Sequence, residues 1–158
     1  MTKPYGNIQK TTRGIFPARF IFLESIREFI INSCRLAGFG QDTCYRVELA
    51  VDEACSNIIE HAYGGESDQE IECLCVETDK ALLIQLHDHG LTFNPDLVPK
   101  PKLTAGLEER ERGGLGLHFI RQYMDDVIFQ EKPMFPTTRN SYKTGNYLLL
   151  VKMKDQKI

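Results

Sequence analysis

Three short stretches of this chain combine residue types that can do chemistry. Glu53 and Asn57, in "EACSN", stand four residues apart, a spacing that stacks them on one stripe of a helix. A carboxamide oxygen there suits a hard cation such as magnesium, which takes oxygen ligands and keeps several waters. Glu53 is then placed to orient or deprotonate a hydroxyl beside that ion. A solvated helix face is the plain alternative. The second stretch is "DHG", where Asp88 offers an acceptor carboxylate and Gly90 permits a turn or a close backbone approach. The amino group of a heterocyclic base suits such an acceptor; a strand-ending Asp in a turn is the alternative. The third is "RGGLGL", with Gly113, Gly114 and Gly116 around a helix start. Exposed amides and the helix dipole make that a place for phosphate. It is neither the G-x-G-x-x-G dinucleotide pattern nor a P-loop, and a glycine hinge without ligand is its alternative.

The elements that must hold these residues follow from periodicity. Phe20 to Ala37 repeats apolar residues at helical spacing and stops at Gly38. Asp42 or Thr43 can cap a second helix that runs through Val47, Val51, Ala54, Ile58 and Ala62 to "YGG". Glu70–Glu77 and Ala81–Asp88 flank "TDK" as a hairpin. On the second strand Leu82, Ile84, Leu86 and Asp88 share one face, so a core-facing row ends in a carboxylate. A three-residue turn sets Leu74 and Val76 on that same face and Cys73 opposite Gln85. It leaves Ile71, Cys73, Cys75 and Leu83 on an apolar outer face, which motivates a homodimer. The same register puts no histidine opposite Cys73 and so argues against zinc. Residues 90 to 113 form a long loop, followed by a helix from about Gly114 to Met124, a strand in "DDVIFQ", a loop, and a closing strand in "YLLLVKMK". Residues 1 to 14 are polar, expected to fray or to form an edge. The order predicts an α+β two-layer sandwich, a mostly antiparallel sheet with helices on one face.

With 158 residues the chain fits one domain, 1–158. Its 42% hydrophobic and 26% charged content is that of a globular protein. A net charge of -3 gives no electrostatic reason for nucleic acid or a membrane surface as partner. No apolar run reaches membrane-span length and none near the start resembles a signal peptide, so a cytoplasmic location is expected. The five cysteines read as reduced thiols packed as small hydrophobes. His61 reads as structural rather than catalytic.

Taken together and in order, "EACSN", "DHG" and "GGLGL" resemble the motifs of the GHKL superfamily of ATP-binding proteins. The likeness is stronger to one branch, the anti-sigma-factor serine/threonine kinases. That branch shows F-P-A near its start, LAVDEA-x-x-N-x-x-x-HAY on the second helix, D-x-G-x-x-F-x-P, and GGLGL-x-x-I-x-x-x-M-D. All four occur here between Phe16 and Val127. The resemblance implies a Bergerat-type fold, with ATP and magnesium as cofactors. It implies that Asn57 ligates magnesium and that Glu53 is the base on a substrate serine or threonine. It further implies that Asp88 accepts from the adenine amino group, with Gly90 beside the base and Phe93 near it. Gly113, Gly114, Leu115 and Gly116 would hold the phosphates under a lid spanning 90–113, its main body 97–113 carrying Arg110 and Arg112. Where the branch often has Thr after a glycine on the last strand, Asn146 follows Gly145, and it can still donate and accept.

The implied function is phosphorylation of an anti-anti-sigma partner, with sequestration of a sigma factor. An ATP-gated switch with little or no kinase activity is the second reading. Glu53 favours the enzyme, since nucleotide binding alone needs no base. A self-contained histidine kinase would need a phosphoacceptor histidine upstream, and the first histidine here is His61, inside the site helix itself.

Overall fold

A computed structural model describes residues 3–92, 115–136 and 145–155. The first helix, α1 (Leu23–Leu36), forms because Leu23, Ile26, Ile30 and Cys34 recur at helical spacing and all are buried. It closes where expected: Gly38 takes the left-handed φ of +89°. Its N–H reaches Arg35 O at 3.0 Å, and the Phe39 N–H reaches Cys34 O at 3.2 Å. That pair of bonds satisfies carbonyls the helix end would otherwise orphan. The second helix, α2 (Gln41–Asn57), starts earlier than its polar residues suggest. Gly40 is the N-cap, its carbonyl accepting from Cys44 N–H at 3.0 Å. Asp42 lies in the first turn instead, where its charge meets the helix dipole.

The expected core row of α2 is buried from Val47 to Ala62, but the helix does not stay α-helical to its end. Ile58–Ala62 form a π turn, in which Tyr63 N–H bonds Ile58 O at 2.9 Å. The extra residue in that turn lets the adjacent Ile58 and Ile59 both face the core. Gly64 (φ +70°) and Gly65 (φ +135°) then turn the chain out of the helix.

Five strands form one sheet in the order β1-β2-β3-β5-β4, every neighbouring pair antiparallel. They are β1 (Ile8–Pro17), β2 (Glu70–Thr78), β3 (Ala81–Asp88), β4 (Asp126–Gln130) and β5 (Asn146–Met153). Residues 8–14 thus belong to an edge strand. The third helix, α3 (Leu115–Tyr123), packs with α1 and α2 on one face of the sheet. No helix among the described residues is long and apolar enough to cross a membrane.

The β2–β3 turn corrects the expected register. Glu77 pairs with Leu82, Cys75 with Ile84 and Cys73 with Leu86, so Asp79–Lys80 is a two-residue turn. Thr78 Oγ1 accepts from Lys80 N–H at 3.1 Å and Ala81 N–H at 2.8 Å, which tightens it. A slip of one residue exchanges the faces of a strand. Ile71, Cys73 and Cys75 therefore pack with Leu82, Ile84 and Leu86 under the helices, and the apolar patch assigned to a homodimer is not an outer surface. Leu74, Val76 and Leu83 lie on the opposite face. That face is covered by residues 131–136, which leave β4 and cross the sheet. Gln85 Oε1 accepts from Met134 N–H at 2.9 Å and Phe135 N–H at 3.1 Å, and Arg13 Nη2 donates to Pro136 O at 2.6 Å. All five cysteines are free and buried, and burial pushes the Cys75 thiol up to about 12.

Candidate active site

The site assembles where α2 ends and where β3 and β5 meet. Asp88 is the last residue of β3 and Asn146 the first of β5, and the two are direct cross-strand partners. Alternation turns both side chains to the helix face, where they are 3% and 9% exposed. Asp88 Oδ1 accepts from Gly90 N–H at 2.8 Å and from Asn146 Nδ2 at 2.9 Å. Burial pushes the carboxyl above its ordinary range; those two donors and the nearby His89 pull it back.

Two close backbone approaches fix the turn after Asp88. A Cβ on Gly90 would collide with the Ala62 carbonyl, and Leu91 N–H donates to that carbonyl at 2.8 Å. Gly145, at φ +123°, leaves room for the Asp88 carbonyl in the same way. Tyr63 ties the ensemble together: its hydroxyl donates to Glu70 O at 2.6 Å and accepts from His89 N–H at 2.9 Å. The π turn thereby grips the Asp88–Gly90 turn directly.

Asn57, Asp88 and Asn146 open into one shared, partly open pocket. Ala54, Ile58 and Ala62 of the α2 region, Leu117 and Ile120 of α3, Phe129 of β4 and Leu148 of β5 complete the wall. The wall is mostly apolar, with Asn57, Asp88 and Asn146 as its polar side chains among the described residues, the usual make-up of a small-ligand site. Periodicity marked Ala54, Ile58 and Ala62 as core. Phe129, an aromatic more than a third exposed at the cavity rim, gave no signal beyond strand alternation.

Glu53 stands one turn before Asn57 and does not line the cavity. It is half-buried, and among the described residues no cation pairs with it. Arg27 instead engages Asp52 at 2.9 Å and Glu48 at 3.8 Å. Burial raises the Glu53 carboxyl, with the charges of Asp52 and Glu60 adding to it. A half-buried carboxylate perturbed in this way is a candidate functional group. His61 also lies outside the cavity wall, half-exposed beside Glu60. Leu115 and Gly116 are the first residues of α3. Phe93, Gly113, Gly114 and the expected lid with Arg110 and Arg112 lie outside the described residues.

Among the described residues no three His, Cys, Asp or Glu side chains gather as a metal cage. The single carboxamide of Asn57 fits magnesium only as one ligand among phosphate oxygens and waters, which is how that ion is commonly held.

The fold and site define a class, and sequence comparison agrees. The histidine kinase-like ATPase domain matches residues 16–139, and the chain belongs to that family. Within it the chain is similar to proteins named serine-protein kinase RsbW. The one from Bacillus mycoides is 30% identical over 115 residues, covering 70% of this chain and 71% of its own. Those of Bacillus thuringiensis and Bacillus anthracis are 29% and 30% identical over the same shares.

Proposed function

We propose that the protein is an anti-sigma-factor-type serine/threonine kinase that binds Mg-ATP and phosphorylates an anti-anti-sigma partner, and that it also sequesters a sigma factor. The observation that carries the nucleotide part is the convergence of Asp88, Asn146 and Asn57, from three elements, on one apolar cavity. Asp88 accepts the adenine amino group, and the apolar wall from Ala54 to Leu148 covers the ring faces. The amides at the start of α3 meet the phosphates. Asn57 gives its amide oxygen to magnesium, whose charge offsets that of the phosphates.

Glu53 serves the transfer itself. It takes the proton from the attacking serine or threonine hydroxyl as the new O–P bond forms and the bond to the departing ADP oxygen breaks. Names of the relatives support the kinase reading, and the raised carboxyl of Glu53 supports its role as base. The second reading, a nucleotide-gated switch with little transfer, draws on Glu53 standing outside the cavity wall. Labelled ATP, magnesium and candidate anti-anti-sigma proteins encoded nearby provide the test. Transfer of label to a partner serine or threonine supports the kinase. Tight ATP binding without transfer favours the switch, and absence of binding sinks both.

A further inference from the structure

The helix that carries Glu53 is acidic around it, and the cation that crosses to this helix is spent elsewhere. Asp52 precedes Glu53 directly, and Glu60 stands two turns further on, in the π turn. Arg27 of α1 reaches α2: its Nη1 donates to Asp52 Oδ1 at 2.9 Å, and its Nε lies 3.8 Å from Glu48 Oε1. Glu48 and Asp52 are four residues apart, so they stack on one stripe and grip one planar guanidinium between them. Among the described residues no ion pair joins Arg27 to Glu53. The π turn also brings His61, 4.0 Å from Glu60, and α3 brings His118, Arg121 and Tyr123. Glu24, Glu28 and Arg35 of α1 are exposed to solvent.

Either Arg27 or Asp52, left alone, would disturb a base at Glu53. A bare Asp52 charge favours the protonated carboxyl, which takes no proton from a hydroxyl. A bare Arg27 charge favours the ionised carboxylate and makes it a weaker base. Paired at 2.9 Å, the two charges offset each other. Burial already raises the Glu53 carboxyl, with Asp52 and Glu60 adding to it, and the guanidinium limits what Asp52 adds. We infer that Arg27 and Asp52 are positioning residues for the transfer, a charge pair between α1 and α2 in which each partner keeps the other from acting on Glu53. The inference rests on the reading of Glu53 as the base.

Two measurements on the full chain provide the test. One is an NMR titration of the Glu53 side-chain carboxyl carbon, assigned by its loss in Glu53→Gln. The other is single-turnover transfer of label from Mg-ATP to a candidate anti-anti-sigma protein encoded nearby, followed across pH. Arg27→Gln is expected to raise the midpoint in both. Transfer on the acid side should fall roughly threefold, the worth of a part-exposed charge pair, and return to wild type on the alkaline plateau. Asp52→Asn is expected to lower both midpoints. The double variant removes a neutral pair and should bring them back close to wild type. Arg27→Lys keeps the charge and should leave them there as well. Midpoints that neither single variant moves overturn the inference. So does a shift of both in the same direction, or a lysine variant displaced as far as the glutamine one, the marks of disturbed packing. No transfer by the wild type at any pH overturns the kinase reading, and the NMR midpoints then uphold or overturn the charge pairing by themselves.

Discussion

Burial holds the Asp88 carboxyl above the ordinary value of 3.8, against the pull of Asn146, Gly90 N–H and His89. Its ionised form is harder to keep folded than unfolded, so at neutral pH it subtracts from stability. That penalty is absent below the unfolded value, grows as pH rises, and is complete above the folded one. Asp88→Asn keeps an oxygen for Gly90 N–H and loses the charge. Without nucleotide it is expected to be more stable than wild type by about 1 kcal/mol at pH 7. The gain should vanish as pH falls below 3.8, measured by urea unfolding across that range. ATP affinity should be lost in the same variant, since an amide turned to satisfy Gly90 presents hydrogens to the adenine amino group. Glu53 makes the complementary case. Its carboxyl is raised by burial and by Asp52 and Glu60, so transfer should climb with pH through a value above 4.5. Glu53→Gln should slow transfer by roughly 10²- to 10⁴-fold with ATP affinity nearly unchanged, read by single-turnover transfer beside calorimetry. A parallel loss of binding would remove Glu53 from the role of base.

Between the residues and the fold stands the π turn Ile58–Ala62. Gly90 packs against its Ala62 carbonyl, and Tyr63 carries its end to His89 and Glu70. Tyr63→Phe keeps the ring and removes the hydroxyl that serves both. The expected cost is about 1–3 kcal/mol of stability, because His89 N–H loses its acceptor in a half-buried place. ATP affinity should fall as well, since the lost bond anchors the turn that aims Asp88. Unchanged affinity with reduced stability would confine Tyr63 to the fold. The sequence could not disclose this turn, because "NII" places two apolar residues side by side and either a shifted α-helix or a wider turn buries one of them. Helix existence was legible, from Val47 through Ala54, and so was its stop at "YGG". The start was misread because Gly40 caps it and the better capping residues, Asp42 and Thr43, lie two and three positions after it.

At the scale of the whole molecule the sheet separates two tasks. Its helix side carries Asp88 and Asn146; its other side carries Leu74, Val76, Leu83 and Gln85 beneath residues 131–136. Asp88 was placed correctly although the hairpin register was not, because its face depends only on alternation along β3. The face of β2 depends on turn length as well, and one residue in the turn reversed it. The covering segment left no periodic signal, since a loop with Pro133 and Pro136 is held by backbone bonds to Gln85 and Arg13. Phe135, 7% exposed, seals this second core, so Phe135→Ala should cost about 3–5 kcal/mol in urea unfolding. Gln85→Leu should cost about 1–3 kcal/mol by leaving the Met134 and Phe135 N–H groups without their acceptor. The two act on one segment, so the double variant should fall short of their sum. Because the sheet lies between Phe135 and the cavity, the folded variants should bind Mg-ATP as wild type does. An affinity that dropped in step with stability would instead show the two faces of the sheet to be coupled, with residues 131–136 acting on the site through β3 and β5.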